Sequence, residues 1–308
     1  MDQKAWILRY GELGLKSRVV RRQFLRALTK NLEQIAINSQ ISFVKDRIRT
    51  MEVITSTAPV EDAENMLCHA LGVVAIDPAE IIADTIDVNT VAAAILARDS
   101  HTGTKRTFGV RTRRVGPKGE YGSQDYSREI GSAMSEQDQN LSVDLTNPDM
   151  WVRLVLEPDR VWLMSDRIAG AGGLPPGVQG DVLCRIDNEE SLLSAFLIMR
   201  RGSRLIPIEG CDEELIAILR LWDPFIGIPS KEKTHNGSTR NRHPWGVIGI
   251  SVEEGEELIS RKEGEKTTPL STLNPLCGWT DKEKGDLLKH INEPSVNSCL
   301  PDIKAWVS

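Results

Sequence analysis

Three carboxylates, Asp187, Glu189 and Glu190, stand with Ile186, Asn188 and Ser191 between the apolar run 181–184 and an apolar helical stretch that ends in Arg200-Arg-Gly202. At a strand–loop–helix junction the free N–H groups of the helix start can grip phosphate, and that grip uses glycines and small hydroxyls. The loop here, Arg185-Ile-Asp-Asn-Glu-Glu-Ser191, has no glycine. Asp187 followed three positions on by Glu190 instead has the spacing of a capping box, which satisfies the helix's own first N–H groups, and acidic side chains suit that end of the helix dipole. The other chemistry open to these carboxylates is to bridge magnesium to a nucleotide, since carboxylates and phosphate oxygens are its usual ligands. Without a metal, a carboxylate about 5 Å from a phosphate charge costs on the order of 3 kcal/mol at an effective dielectric of 20, which favours the cap.

A second group of residues is suited to bind phosphate. Arg111, Arg113 and Arg114 fall on a strand-like stretch, 107–114, so alternation places Arg111 and Arg113 on one face and Arg114 on the other. Lys118 follows on a glycine-rich turn and Arg128 on the next helix. Guanidinium forks match phosphate oxygens and position a nucleic acid without reading its sequence. The competing reading is a solvated strand edge protected by charge. Near the start of the chain, Arg18, Arg21 and Arg22 lie on the outer side of an amphipathic helix, 19–37, and could extend the same surface.

The charge distribution supports a polyanion-binding face on a chain whose net charge is −6: residues 1–58 hold eleven Lys and Arg against five Asp and Glu, residues 101–130 seven against three, and residues 180–308 sixteen against twenty-one. The five cysteines are widely spaced, without a Cys-x-x-Cys pair, and with the histidines make no zinc-like set, so no metal is expected. Cys68 and Cys184 sit in apolar stretches and read as inert thiols. Cys211, at the end of a strand, and Cys299 are weak candidates for a nucleophile. No apolar run approaches the roughly 20 residues of a membrane span, and the first residues lack a leader pattern, so no membrane partner and a cytoplasmic location are expected.

Several elements must position these residues. Strands are expected at 5–10, 41–44, 50–55 and 73–76, with helices at 60–71 and 88–96; the arginine strand is followed by a helix at 123–135 and strands at 143–145, 150–156 and 160–164. From 181 onward strands and helices alternate, as in a doubly wound α/β domain: strands at 181–184, 204–208 and 246–250, helices at 212–221 and 252–259. The polar stretch 230–244 reads as an exposed loop.

Particular motifs carry a family resemblance. Gly170-Ala-Gly-Gly-Leu-Pro-Pro-Gly177 and Ser191-Leu-Leu-Ser-Ala-Phe-Leu-Ile-Met-Arg-Arg-Gly202 resemble the flanks of the nucleotide-binding loop in ThiI-type tRNA 4-thiouridine sulfurtransferases. That family writes Ser-Gly-Gly-Ile-Asp-Ser in the loop; aligned back from Gly202, those positions are Ile186, Asp187, Asn188, Glu189, Glu190 and Ser191, and only the last serine matches. Arg9-Tyr-Gly-Glu-Leu-Gly-Leu-Lys16 resembles the opening of the family's ferredoxin-like domain, while Phe108–Val115, Ser123–Arg128 and Val143–Asp149 resemble a THUMP domain, an RNA-binding module. A weaker resemblance covers 273–283.

The resemblance implies a ferredoxin-like domain at 1–58, a THUMP domain at 59–168 and a degenerate PP-loop ATP-pyrophosphatase-like domain at 169–308, thus an α+β N-terminal half followed by a doubly wound α/β domain. It implies tRNA, held by its acceptor region, as the partner, and a cysteine for sulfur transfer that has no clear match; no rhodanese domain is expected to follow. The reading is a tRNA-binding protein without ATP-dependent sulfurtransferase activity and with no cofactor, acting alone, as a homodimer or beside a separate catalytic protein. Two alternatives stay open: an active sulfurtransferase using ATP and magnesium in a remodelled site, and a protein-interaction scaffold.

Overall fold

The amphipathic period of the first helix is the simplest place to see how the sequence builds this structure, a computed structural model describing residues 3–11, 17–99, 104–117, 119–233, 237–259 and 269–296. Phe24, Leu28, Leu32 and Ile35 recur at helical spacing and all four are buried. In chain order the elements are β1 (Lys4–Tyr10), α1 (Arg18–Asn38), β2 (Phe43–Ile48), β3 (Met51–Ser56), α2 (Val60–Cys68), β4 (Val73–Ala83), α3 (Val88–Leu96), β5 (Arg106–Arg114), α4 (Ser123–Gln137), β6 (Leu141–Val143), β7 (Met150–Leu156), β8 (Val161–Met164) and β9 (Ile168–Ala169). They continue with β10 (Asp181–Cys184), α5 (Glu189–Arg200), β11 (Arg204–Pro207), α6 (Glu213–Trp222), β12 (Lys231–Lys233), β13 (Thr239–Asn241), β14 (Gly246–Ile248), α7 (Val252–Leu258), β15 (Ser271–Thr272) and α8 (Asp281–Asn292). Among the described residues no helix is long and apolar enough to cross a membrane.

Two compact units emerge, and they interleave along the chain: residues 1–8, 43–57 and 77–168 make one, residues 9–42, 58–76 and 169–308 the other. Compactness follows contacts rather than sequence order.

The first unit is built on a mixed sheet in the order β2-β3-β1-β4-β8-β7-β5-β6. Strand β5 runs parallel to both β6 and β7. One core joins β5 and β7 to α3 and α4 through Phe108, Val152, Leu154, Tyr126, Ile130 and Met134; another joins Ile7, Met51, Val53, Val155 and Trp162. Tyr126, fully buried, donates its hydroxyl to the Ile86 carbonyl at 3.0 Å, and burial holds its phenol protonated far above the usual range. Gly109 has a specific reason: a Cβ there would stand 2.5 Å from the Trp151 ring, which lies across the strand.

The second unit centres on a parallel sheet in the order β11-β10-β14-β15. Helix α5 is buried on nearly every side, from Ser191 to Leu197 and at Met199, as a helix packed against both sheet and helices must be. Phe196 and Trp222 meet edge to face at 4.8 Å in this core, with the His69 ring 4.8 Å from Trp222. The glycines of the 170–173 run let backbone pass backbone: a Cβ on Gly170 would meet the Val73 carbonyl oxygen at 2.3 Å, and one on Gly173, whose φ is +67°, would meet the Arg200 carbonyl oxygen at 2.2 Å.

The class expected from sequence is the class observed, an α+β N-terminal half followed by an α/β sheet. Local expectations are corrected or extended at several points, and the strand expected at 73–76 runs on to Ala83. The strand expected at 41–44 is β2 at Phe43–Ile48, because its partner in register is β3, joined by a turn with Arg49 at φ 57°. The stretch 230–244 is not simply a loop: β12 and β13 pair as an antiparallel ribbon, which its polar composition concealed. The two-residue strand β15 went unforeseen because so short an edge strand carries no periodicity.

Candidate nucleic-acid interface and the loop after the central strand

Helix α4 lies along β5 and leaves a groove of about 850 Å³ beside it. Small residues on the helix, Ser127, Gly131, Ser132 and Ser135, keep that wall low, and Val143 and Leu145, both exposed, supply an apolar side. The Ser127 hydroxyl accepts from the Thr112 N–H at 2.9 Å and donates to the Ser123 carbonyl at 2.9 Å, fixing helix to strand. Thr112 lines the groove, and its hydroxyl is buried without a hydrogen-bond partner.

Arg111 lines the groove, and its guanidinium lies 3.7 Å from the centre of the Trp151 ring on β7, an arrangement that holds the fork flat. Arg113, two residues on, is likewise exposed. Arg114 behaves differently: it donates through Nη1 to the Pro117 carbonyl, and its N–H donates to the Ser123 hydroxyl at 3.2 Å, so it braces the turn. Arg128 lines the groove but is paired with Asp125 at 2.8 Å and lies 3.8 Å from Glu129, which offsets its charge locally. Lys118 lies outside the described residues. The sequence missed Trp151; its signal was the register that sets it opposite Gly109, visible only once β5 and β7 are paired.

Arg18, Arg21 and Arg22 are exposed on the opening turns of α1, which carries no acidic residue in its first turn. They belong to the second unit, and Arg111, Arg113, Arg114 and Arg128 to the first.

The loop after β10 is self-satisfied, though not by the pair the spacing suggested. Asn188, rather than Asp187, is the N-cap: its side-chain oxygen accepts from the Ser191 N–H at 2.9 Å, and the Ser191 hydroxyl accepts from the N–H groups of Asn188 and Asp187, both at 3.1 Å. The capping box is therefore Asn188 with Ser191, because the helix starts one residue later than an Asp187 cap requires. Asp187 accepts from the Asn188 amide at 2.7 Å, and Glu190 reaches out of the loop to pair with Lys284 at 2.8 Å. Ile186 is fully buried, its N–H directed at the Cys211 sulfur at 3.3 Å.

In the order β11-β10-β14-β15 the chain turns opposite ways after β10 and β14, and a crevice at the carboxyl ends of two such strands is where ligands of parallel sheets bind. Here Arg185 spans it, donating to Glu254 in the first turn of α7 and to the Glu209 carbonyl at 3.3 Å. The backbones also close up: Gly249, at φ +71°, would place a Cβ 2.3 Å from the Arg185 carbonyl oxygen. Cys211 packs under this loop, its sulfur 3.5 Å from the Cys184 carbonyl, and burial pushes the Cys184 thiol far up. Cys299 lies outside the described residues. Among the described residues no group of three or more histidine, cysteine and acidic side chains could hold a metal ion.

Comparison with known proteins accords with this architecture. Residues 5–76 match the model of the ThiI ferredoxin-like domain, and residues 83–166 that of the THUMP domain. A probable tRNA sulfurtransferase of Methanocaldococcus jannaschii is 34% identical over 206 residues, 65% of this chain and 54% of that protein. One of Thermococcus kodakarensis is 30% identical over 261 residues, 83% of this chain and 65% of that protein. The chain thus spans between half and two thirds of the length of these relatives. The fold is similar to that of a 4-thiouridine synthetase solved as an RNA complex with bound ATP, with a TM-score of 0.65 at 17% identity over 96% of this chain and 86% of that one. By its ferredoxin-like and THUMP domains the chain belongs to the ThiI-type family.

Proposed function

We propose that this protein binds tRNA through the groove between β5 and α4, holding the acceptor region, and that it does not carry out ATP-dependent sulfur transfer. The observation that carries the second half is the state of the loop after β10. Its acceptor and hydroxyl, Asn188 and Ser191, are spent on each other, its carboxylates would face a triphosphate, and Arg185 crosses the crevice to Glu254. These residues do not fit a nucleotide triphosphate: there is no glycine at which phosphate could approach the backbone, and the N–H groups of Asp187, Asn188 and Ser191 are already bonded within the loop. The Cys211 sulfur is held inside the loop, accepting from the Ile186 N–H and lying 3.5 Å from the Cys184 carbonyl.

RNA binding is supported by Arg111 at a groove with an apolar wall, by the exposed Arg113 on the same strand, and by the names of the relatives, probable tRNA sulfurtransferases. The protein works in the cytoplasm, alone, as a homodimer or with a separate catalytic protein. A second reading, an active sulfurtransferase, is favoured by those same names and requires magnesium to recruit Asp187 and Glu189, whose side chains are exposed. The absorbance of 4-thiouridine in the near ultraviolet separates the two. Bulk tRNA from cells lacking only this protein keeps that absorbance under the first reading and loses it under the second.

A further inference from the structure

The α/β half of the chain is acidic, yet residues 230–243 hold four Lys and Arg, Lys231, Lys233, Arg240 and Arg242, against one carboxylate, Glu232. Lys231, Lys233 and Arg240 fall on the ribbon β12–β13, paired in the register Lys231 with Asn241, Glu232 with Arg240 and Lys233 with Thr239, and Arg242 follows it. The one carboxylate is matched within the ribbon, Arg240 donating to Glu232 at 2.8 Å, and the Lys231 ammonium donates to the Asn241 side chain. Lys231, Thr239, Arg240 and Asn241 are all exposed.

This ribbon is an anchored element. At its base the Ser230 N–H donates to Asp181 at 2.8 Å, the Arg242 N–H to the Ser230 carbonyl at 2.8 Å, and the Trp245 N–H to the Asp181 carbonyl at 3.0 Å. Asp181 is fully buried at the first position of the central strand, so the ribbon's two ends are tied to the rigid part of the sheet.

We infer that the β12–β13 ribbon is a second RNA-contacting element, touching phosphates through Lys231 and Arg240. The inference rests on the RNA-binding reading above. Its side chains choose the partner: Lys, Glu, Lys, Thr, Arg and Asn offer no apolar or aromatic anchor, which the core of a protein interface needs, whereas phosphate contacts need only positive charge and hydrogen-bond donors. The exposed pair of Arg240 with Glu232 is no obstacle, because such pairs are weak enough for a phosphate to displace the carboxylate.

The test measures affinity of the full chain for an in vitro transcribed tRNA across a salt series, with hydroxyl-radical footprinting of the RNA. Lys231→Ala with Arg240→Ala should bind about tenfold more weakly at low salt, with a slope of log affinity against log salt shallower by about 2. Glu232→Gln should move affinity the other way. The double variant should expose nucleotides other than those exposed by Arg111→Ala. Unchanged affinity and slope in the double variant, with Arg111→Ala still weakening binding, overturns the ribbon and leaves the groove standing; the same holds if only a protein partner is lost. No binding by the wild-type chain overturns both. Unaltered thermal unfolding of the double variant excludes a folding effect.

Discussion

Arg185, at the end of the central strand, is ion-paired with Glu254 in the first turn of the helix that follows β14, so the mouth of the parallel sheet is bridged by the protein's own charges. Calorimetry with ATP and magnesium should accordingly register no tight binding, in the wild type or in Arg185→Ala, because removing the bridge does not supply a phosphate cradle. Micromolar binding that vanishes in Asp187→Ala would establish a rebuilt metal site. The pair is partly exposed, so Glu254→Gln should lower stability by no more than about 1 kcal/mol.

The cap should show its members by their costs. Asn188→Ala should destabilise the protein in urea by about 0.5–2 kcal/mol, the usual range for a lost N-cap. Asp187→Ala, which touches only an exposed amide, should cost less. The reverse order would restore the assignment that residue spacing alone suggested.

On the arginine strand, Arg111→Glu with Arg113→Glu should weaken tRNA binding by at least about tenfold, since each would replace a proposed phosphate contact with a repulsion. Trp151→Ala should weaken it less, by releasing the Arg111 fork while leaving its charge. Arg128→Ala should have the smallest effect, because Asp125 already answers that charge. Equal losses in all three would mean that net charge alone, without any geometry, governs binding.

Stability should depend on pH through His69. Its Nδ1–H donates to the Asn65 carbonyl at 2.8 Å, its Nε2 is buried without a partner, and burial lowers its imidazole below the ordinary 6.5. A folded-state value below the unfolded one means that the unfolded chain binds the proton first. His69 thus contributes its full stability above about pH 6.5 and loses it as pH falls through that value. Denaturation in urea at pH 7.5 and pH 5 should show this loss in the wild type and less of it in His69→Gln. An identical pH dependence in both would assign the effect to other groups.

Periodicity made α1, α5 and β10 readable, because each buries a regular face or a continuous apolar run. The arginine strand was readable for the same reason, and Arg111 with Arg113 share a face as alternation requires. What stayed hidden depended on partners distant in sequence. Trp151 under Arg111 needs the parallel pairing of β5 with β7, and the bridge from Arg185 needs α7 to begin beside β10. The capping pair was missed by one residue because aspartate and asparagine are almost equally good N-caps, and only the starting point of α5 decides between them.

The interleaving of the two units bears on what the chain can afford to lose. Helices α1 and α2 reach into the same unit as β10 and α6: Leu71 shares a core with Val182 and Phe196, the ammonium of Lys30 sits 4.4 Å over the Phe225 ring, and His69 lies against Trp222. Truncation after residue 179 would strip those helices of their packing surface, so such a fragment should aggregate rather than serve as a minimal RNA-binding piece. Selection for a well-folded N-terminal half would therefore preserve the α/β half as its buttress, whatever substitutions accumulate in the loop after β10.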